Sequence, residues 1–376
     1  MPRKLQRRPG RVWTLVGLAA VLAGVLVLLA IAVPARFIGS HCFNVRSQTV
    51  ERSADLRRVA ADVKGYFRNE SGTYLTLPEW YIVYSADEYA SFVKSRAPSR
   101  FPYFSAADQY WRYYEQACRA TKRVYPFDLG NHLMLGVIGM SFWAENVAKG
   151  LYENTIGVLT ENIGFYHTDE DLFARKTAQE YAEFIHATPW YEFPFATKLK
   201  RLWTQTPLWG PEPVRKWERR LVLSVEYTVK ALYGWVIGLG TRSVYQPEDL
   251  VTHAWLDDAP ERIFADTRIR KVKTLGLRSY IVALPRYAAF TPVVTALVKQ
   301  GVRFHDLAGN NEILLTAIAP RELDWHLTSG GIVLSEEILT NPATKRIGVR
   351  VPVRTLHVIL TDLPTRGASV EHLYDY

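Results

Sequence analysis

Residues 277–307 read LRSYIVALPRYAAFTPVVTALVKQGVRFHDL, and this stretch sets the fold class. The run 278–284 is β-branched and aromatic, the signature of a strand. Helical character follows over 287–300 and stops at Gly301, a residue suited to a helix C-terminus. Residues 302–307 return to a strand pattern, and 312–319 form another, flanking Ala308-Gly309-Asn310-Asn311 as a hairpin signal. A short helix over 321–327 and strands over 331–339, 347–353 and 355–360 complete a β-α-β-β-(α)-β order. The expectation is a ferredoxin-like α+β domain over 276–376, with a right-handed crossover around its helix. That layout hosts many unrelated activities and says nothing about function.

Upstream, 241–275 is a mixed-charge stretch read as a connector, and 36–240 reads as a mainly helical, aromatic-rich domain. Thr76-Leu77-Pro78-Glu79 resembles a helix start, and a second helix is expected over 106–123. Thr168-Asp-Glu-Asp171 resembles a capping box opening a helix with Phe173, Thr177, Tyr181 and Phe184 on one face. Between these, 144–167 carries an eight-residue quasi-repeat, with Glu145-Asn146, Glu153-Asn154 and Glu161-Asn162. Gly150, Gly157 and Gly164 recur every seven residues and fall on one helical stripe, which suits either close helix–helix contact or a helix broken at these glycines. On a straight helix each eight-residue step turns by about 80°, so the three glutamates are expected to fan around it.

The segment 194–220 interleaves Trp203, Trp209 and Trp217 with Lys198, Lys200, Arg201, Arg215, Lys216, Arg219 and Arg220. Rings beside cations suit a lipid interface, where indoles sit at headgroup depth and cations meet phosphates. Residues 221–240, LVLSVEYTVKALYGWVIGLG, approach membrane thickness but contain Glu226 and Lys230, four apart and able to pair. Placing that pair in lipid is costly, so a packed helix is expected there, and likewise over 133–144.

The N-terminus fixes the expected location. Residues 12–35 carry no charge, exceed the roughly 20 residues that cross about 30 Å of hydrocarbon, and open with Trp13 at the interface position. The preceding arm, 1–11, holds five basic residues and no acid. It is expected to stay cytoplasmic, with the rest of the chain on the other side, periplasmic in a Gram-negative bacterium. The alternative is a cleaved signal peptide, but the apolar run is longer than such peptides use. The arm also accounts for much of the charge. Of 46 Lys+Arg against 37 Asp+Glu, it takes five, and the remainder is near balance. The basic excess is therefore no sign of nucleic-acid binding. Cys42 and Cys118, both on the expected outer side, are a candidate disulfide.

No phosphate loop, dinucleotide turn, nucleophile elbow or HExxH pattern occurs. Glu183-Phe-Ile-His186 is a single Glu-x-x-His, whereas a di-iron bundle needs two with further glutamates. Glu322-Leu-Asp-Trp-His326 reads as a solvated helix face. The expected protein is a single-pass, extracytoplasmic accessory or scaffold subunit of a membrane assembly. A lipid-binding or lipid-modifying role for the aromatic helices is the first alternative, and a carboxylate/His metalloenzyme the second. Expected partners are the bilayer and either a membrane protein or a second copy of the chain. No nucleic acid and no cofactor are expected.

Overall fold

The computed structural model describes residues 42–43, 52–164, 166–241, 250–325 and 329–376. The apolar run 12–35, with Trp13, and the basic arm lie outside them, as does His326.

The C-terminal part is an α+β assembly of two four-stranded antiparallel sheets. The first comprises β1 (Val251–Asp257), β2 (Arg270–Gly276), β3 (Ser279–Pro285) and β4 (Arg303–Leu307), in the order β2-β3-β1-β4. The second repeats the plan with β5 (Glu312–Pro320), β6 (Gly331–Glu337), β7 (Thr344–Pro352) and β8 (Ser369–Tyr374), in the order β6-β7-β5-β8. Each sheet receives one helix before its last strand, Phe290–Lys299 in the first and Leu356–Thr365 in the second. Each of these helices buries its first, fourth, fifth and eighth residues: Phe290, Val293, Val294 and Leu297, then Leu356, Ile359, Leu360 and Leu363. Each ends on a glycine with positive φ, Gly301 at 84° and Gly367 at 71°, a backbone state that favours glycine. This C-terminal part is thus two successive copies of a βββαβ plan. Side chains from both sheets and both helices share one apolar core.

The strands begin before the 276–376 frame expected for the sheet domain. The supposed connector holds β1 and β2. Residues 355–360 fall mainly in the second helix, whose apolar spacing is helical, and 321–325 form turns rather than a helix. The Ala308–Asn311 signal does make a tight turn, with Ala308 at φ 54° and Gly309 at 80°. It makes no hairpin, because β4 pairs with β1 and β5 pairs with β7 and β8.

The outer face of the first sheet is covered by α1 (Ala54–Ala60), with Leu56, Ala60 and Tyr66 against Ile281. The outer face of the second is covered by α2 (Gly72–Leu75), α3 (Leu77–Phe92) and α4 (Tyr103–Thr121). Tyr74, Tyr81, Tyr110, Tyr113 and Tyr114 are buried there against Leu314, Leu334 and Tyr374. Their hydroxyls are mostly matched: Tyr84 bonds Tyr374 at 2.7 Å and Thr316 at 2.9 Å, and Tyr110 donates to the Leu135 carbonyl at 2.7 Å. Arg346 on β7 reaches from the sheet to Glu88 on α3 at 3.1 Å and Glu371 on β8 at 2.6 Å. Cys42 is joined to Cys118 near the end of α4 by a disulfide. The remaining helices form a layer beyond α3 and α4: α5 (Leu129–Tyr152), a π turn (Glu153–Gly157), α6 (Val158–Gly164), α7 (Asp169–Ile185), α8 (Phe195–Gln205) and α9 (Pro213–Thr241).

Candidate functional site

α9 runs antiparallel to α5 and α6, as the cross-links Ser141–Tyr233 (2.9 Å), Lys149–Glu226 (2.8 Å), Glu153–Arg219 (2.7 Å) and Thr160–Arg215 (2.9 Å) show. Charged side chains fill the space between them. Lys149 and Lys230 alternate with Glu145 and Glu226 in a ring of four contacts at 2.8–3.2 Å. Further along, Arg215 and Arg220 have no solvent exposure. Arg215 meets Asp171 at 2.9 Å, Glu218 at 3.2 Å and Glu161 at 3.4 Å. Lys216 meets Asp169 at 2.8 Å and Glu170 at 3.0 Å, and Arg220 binds Glu170 from the other side. The acids come largely from the first turn of α7, where the Thr168–Asp171 capping box is formed in full.

The three repeat glutamates do not fan. Glu145 pairs with Lys230, Glu153 with Arg219 and Glu161 with Arg215, all on α9. For the second step the reason is the π turn: its wider winding absorbs one residue, so the step from Glu153 to Glu161 acts as seven and stays near one stripe. Burial raises the Glu153 carboxyl pKa against the pull of Arg219 and Arg215. For Glu145, burial opposes the charge, but Lys149 and Lys230 outweigh it and hold the pKa below the usual carboxylate range.

The opposite faces of the same helices are apolar and exposed. On α9 these are Val214, Leu221, Val225, Val229, Leu232 and Val236, and on α5–α6 they include Leu133, Val137, Leu151, Leu159 and Ile163. Soluble helices place apolar residues inward and charge outward. This layer does the reverse, and contiguous exposed apolar area of this kind marks an interaction surface. No helix among the described residues is long and apolar enough to cross a membrane.

No family model, curated protein or solved structure matches the chain.

The glycine stripe packs within the molecule. A Cβ on Gly150 would meet Tyr103 and Phe104 at 3.0 Å, and one on Gly164 would meet Arg215 at 3.0 Å. A Cβ on Gly157 would strike the Glu153 carboxylate at 2.3 Å. Gly150 and Gly164 are therefore covered by other elements of the same chain. Trp203, Trp209 and Trp217 do come together, with ring centroids 6.2 and 6.1 Å from Trp217. Lys200 and Arg201 are exposed, whereas Lys198 is buried against Glu180. Glu183 is exposed and His186 bonds Asp87 at 2.8 Å, so the Glu-x-x-His pair does not converge.

Among the described residues, the one trio with metal-capable atoms close together is Cys42, Cys118 and His132, and its sulfurs are joined as the disulfide. Ser279, Asp257 and His305 also meet, at 2.7 and 3.0 Å. The carboxylate, not the imidazole, receives the serine hydroxyl, so the trio lacks the base-to-nucleophile contact that acyl transfer uses.

Sequence reading missed the inward role of Arg215, Lys216, Arg219 and Arg220, which it aimed at phosphates. The signal was present in the spacing. Apolar residues at 214, 221, 225, 229, 232 and 236 make one stripe of α9, and charges at 215, 219, 226 and 230 make another.

Proposed function

We propose that this chain is a membrane-anchored, extracytoplasmic, non-enzymatic accessory or scaffold subunit, whose helical layer lies in the face of the bilayer. The observation that carries the reading is the reversal of α5, α6 and α9, with ion pairs inside and aliphatic side chains outside. Charges facing a low-dielectric surrounding are tolerable only when paired, and these are paired. An aliphatic surface is costly in water and costs nothing against acyl chains. Support also comes from the chain's route. The apolar run 12–35 ends seven residues before Cys42, which the disulfide ties beside α4. Phe43 packs on Phe127, just before α5 begins.

On this reading the duplicated sheets stand away from the bilayer as the soluble part of the subunit. The strand order of each half is that of a ferredoxin-like sheet, and we read each as such a unit without its first helix, which the 3₁₀ turn Glu261–Ala265 replaces in the first half. The test is a native mass spectrum of the full chain extracted gently from its own membrane. A mass above 42.9 kDa that includes a second polypeptide is the expected result. A lone chain without any bound polypeptide contradicts the subunit role.

A further inference from the structure

We propose that the rim formed by Trp203, Trp209 and Lys200, with the exposed Arg201 on the flank of α8 away from Trp203, takes the headgroups of anionic phospholipids, an inference that rests on the bilayer seating above. The indoles are built into position. Trp203 donates its N–H to Ser224 at 2.9 Å, and the buried Arg220 guanidinium lies 5.4 Å from the rings of both Trp203 and Trp217. Cation–π contact of this kind fixes ring orientation. Although braced from beneath, Trp203 remains 42% exposed and Trp209, beside Trp217, 75% exposed. The surface they border is the aliphatic stripe of α9, starting at Leu221 and Val225. An indole held at the edge of an apolar face matches the headgroup layer, where an apolar body and a polar tip are both satisfied.

The cations decide which headgroups. The segment 198–220 holds seven basic residues, and five of them are neutralised inside the protein: Lys198 by Glu180, Arg215 by Asp171, Lys216 and Arg220 by Glu170, and Arg219 by Glu153. Lys200 and Arg201 are the two that point out, and neither has an ion-pair partner among the described residues. Lys200 lies one helical turn before Trp203, on the same side of α8. Burial first, then Arg201 and Lys176 nearby, holds the Lys198 ammonium below its ordinary pKa even with Glu180 beside it. A zwitterionic surface satisfies the rings but offers these cations no net charge, whereas an anionic one attracts each of them.

The test is amide hydrogen exchange of the full chain in nanodiscs of phosphatidylcholine alone and of phosphatidylcholine with phosphatidylglycerol at two to one. Peptides from α9 should be protected in both. Those covering α8 and Trp209 should slow by a further order of magnitude in the anionic discs, and the gain should shrink at high salt. The double variant K200E/R201E should lose that gain and keep α9 protection, which also shows that the layer is folded. Equal α8 protection in the two discs overturns the anionic preference while leaving the seating intact. Unprotected α9 in both discs overturns the seating and this inference with it. Slowing of α8 by inorganic phosphate in detergent, to the degree seen with phosphatidylglycerol, assigns the rim to a free anion instead.

Discussion

Glu170→Gln removes one negative charge from the most enclosed point of the charged layer and leaves the shape unchanged. Glu170 is fully buried, with one oxygen accepting from Arg220 Nε at 3.1 Å and the other from Lys216 Nζ at 3.0 Å. Both cations are themselves buried. Breaking a buried pair from one side costs about 3–5 kcal/mol, because the abandoned charge has no water to return to. Here the cations keep other partners: Asp169 for Lys216 at 2.8 Å, and for Arg220 the Thr206 hydroxyl at 2.6 Å and the Pro207 carbonyl at 2.8 Å. The loss should therefore sit at the lower end, about 3 kcal/mol. At about 2–4 °C per kcal/mol for a domain of this size, that is a fall of about 6–12 °C in the melting temperature. The assay is thermal unfolding of the full chain in detergent, with Asp169→Asn alongside. The Asp169 side chain is half exposed, and its neutralisation should cost less than about 1 kcal/mol. Equal, small shifts for the two variants would refute the picture of a sealed ion-pair layer.

Three further outcomes follow from the same geometry. Reducing the Cys42–Cys118 bond, or replacing either cysteine with serine, should cost about 4 kcal/mol, because it releases a loop with a sequence separation of 76; melting with and without reductant measures it. Burial, and next the nearby His186, depress the His372 pKa to about 3, so the unfolded chain gains a proton on acidification below about 6.5 while the folded chain does not. Stability should fall by about 2 kcal/mol between pH 6.5 and 5 on this account, and His372→Phe, still able to stack on Trp80, should lose correspondingly less in chemical unfolding. Gly139→Ala should destabilise by about 1–3 kcal/mol, since its Cβ would lie 2.1 Å from the fully buried Tyr110 ring, while Gly238→Ala, with open space around it, should stabilise α9 by up to about 1 kcal/mol; paired melts separate the two.

The elements were more legible than their arrangement. The strand–helix–strand run through β3, the Phe290–Lys299 helix and β4 could be read from periodicity and Gly301, because local pattern determines local structure. The duplication could not be read, since β1 pairs with β3 and β4 across the chain, and Lys271 and Lys273 give the edge strand β2 a polar, connector-like appearance. The Ala308–Asn311 turn shows the limit of local signals: its backbone is that of a tight turn, yet its flanking strands find partners elsewhere. Around the candidate site, the capping box and the tryptophan cluster were visible. The inward direction of Arg215 and Arg219 was missed because, Glu218 apart, their acidic partners lie tens of residues away, and the π turn that aligns Glu153 with Glu161 leaves no mark in a straight-helix projection.

The most direct test of the bilayer seating is the environment of the outer stripe of α9. A nitroxide at Val229→Cys, on the full chain in a bilayer with the native disulfide intact, should be accessible to oxygen and shielded from a water-soluble nickel chelate. A nitroxide at Leu277→Cys, on the fully solvent-facing turn after β2, should behave in the opposite way. Equal access of the nickel chelate to both sites would mean that the stripe faces water, and would contradict the account.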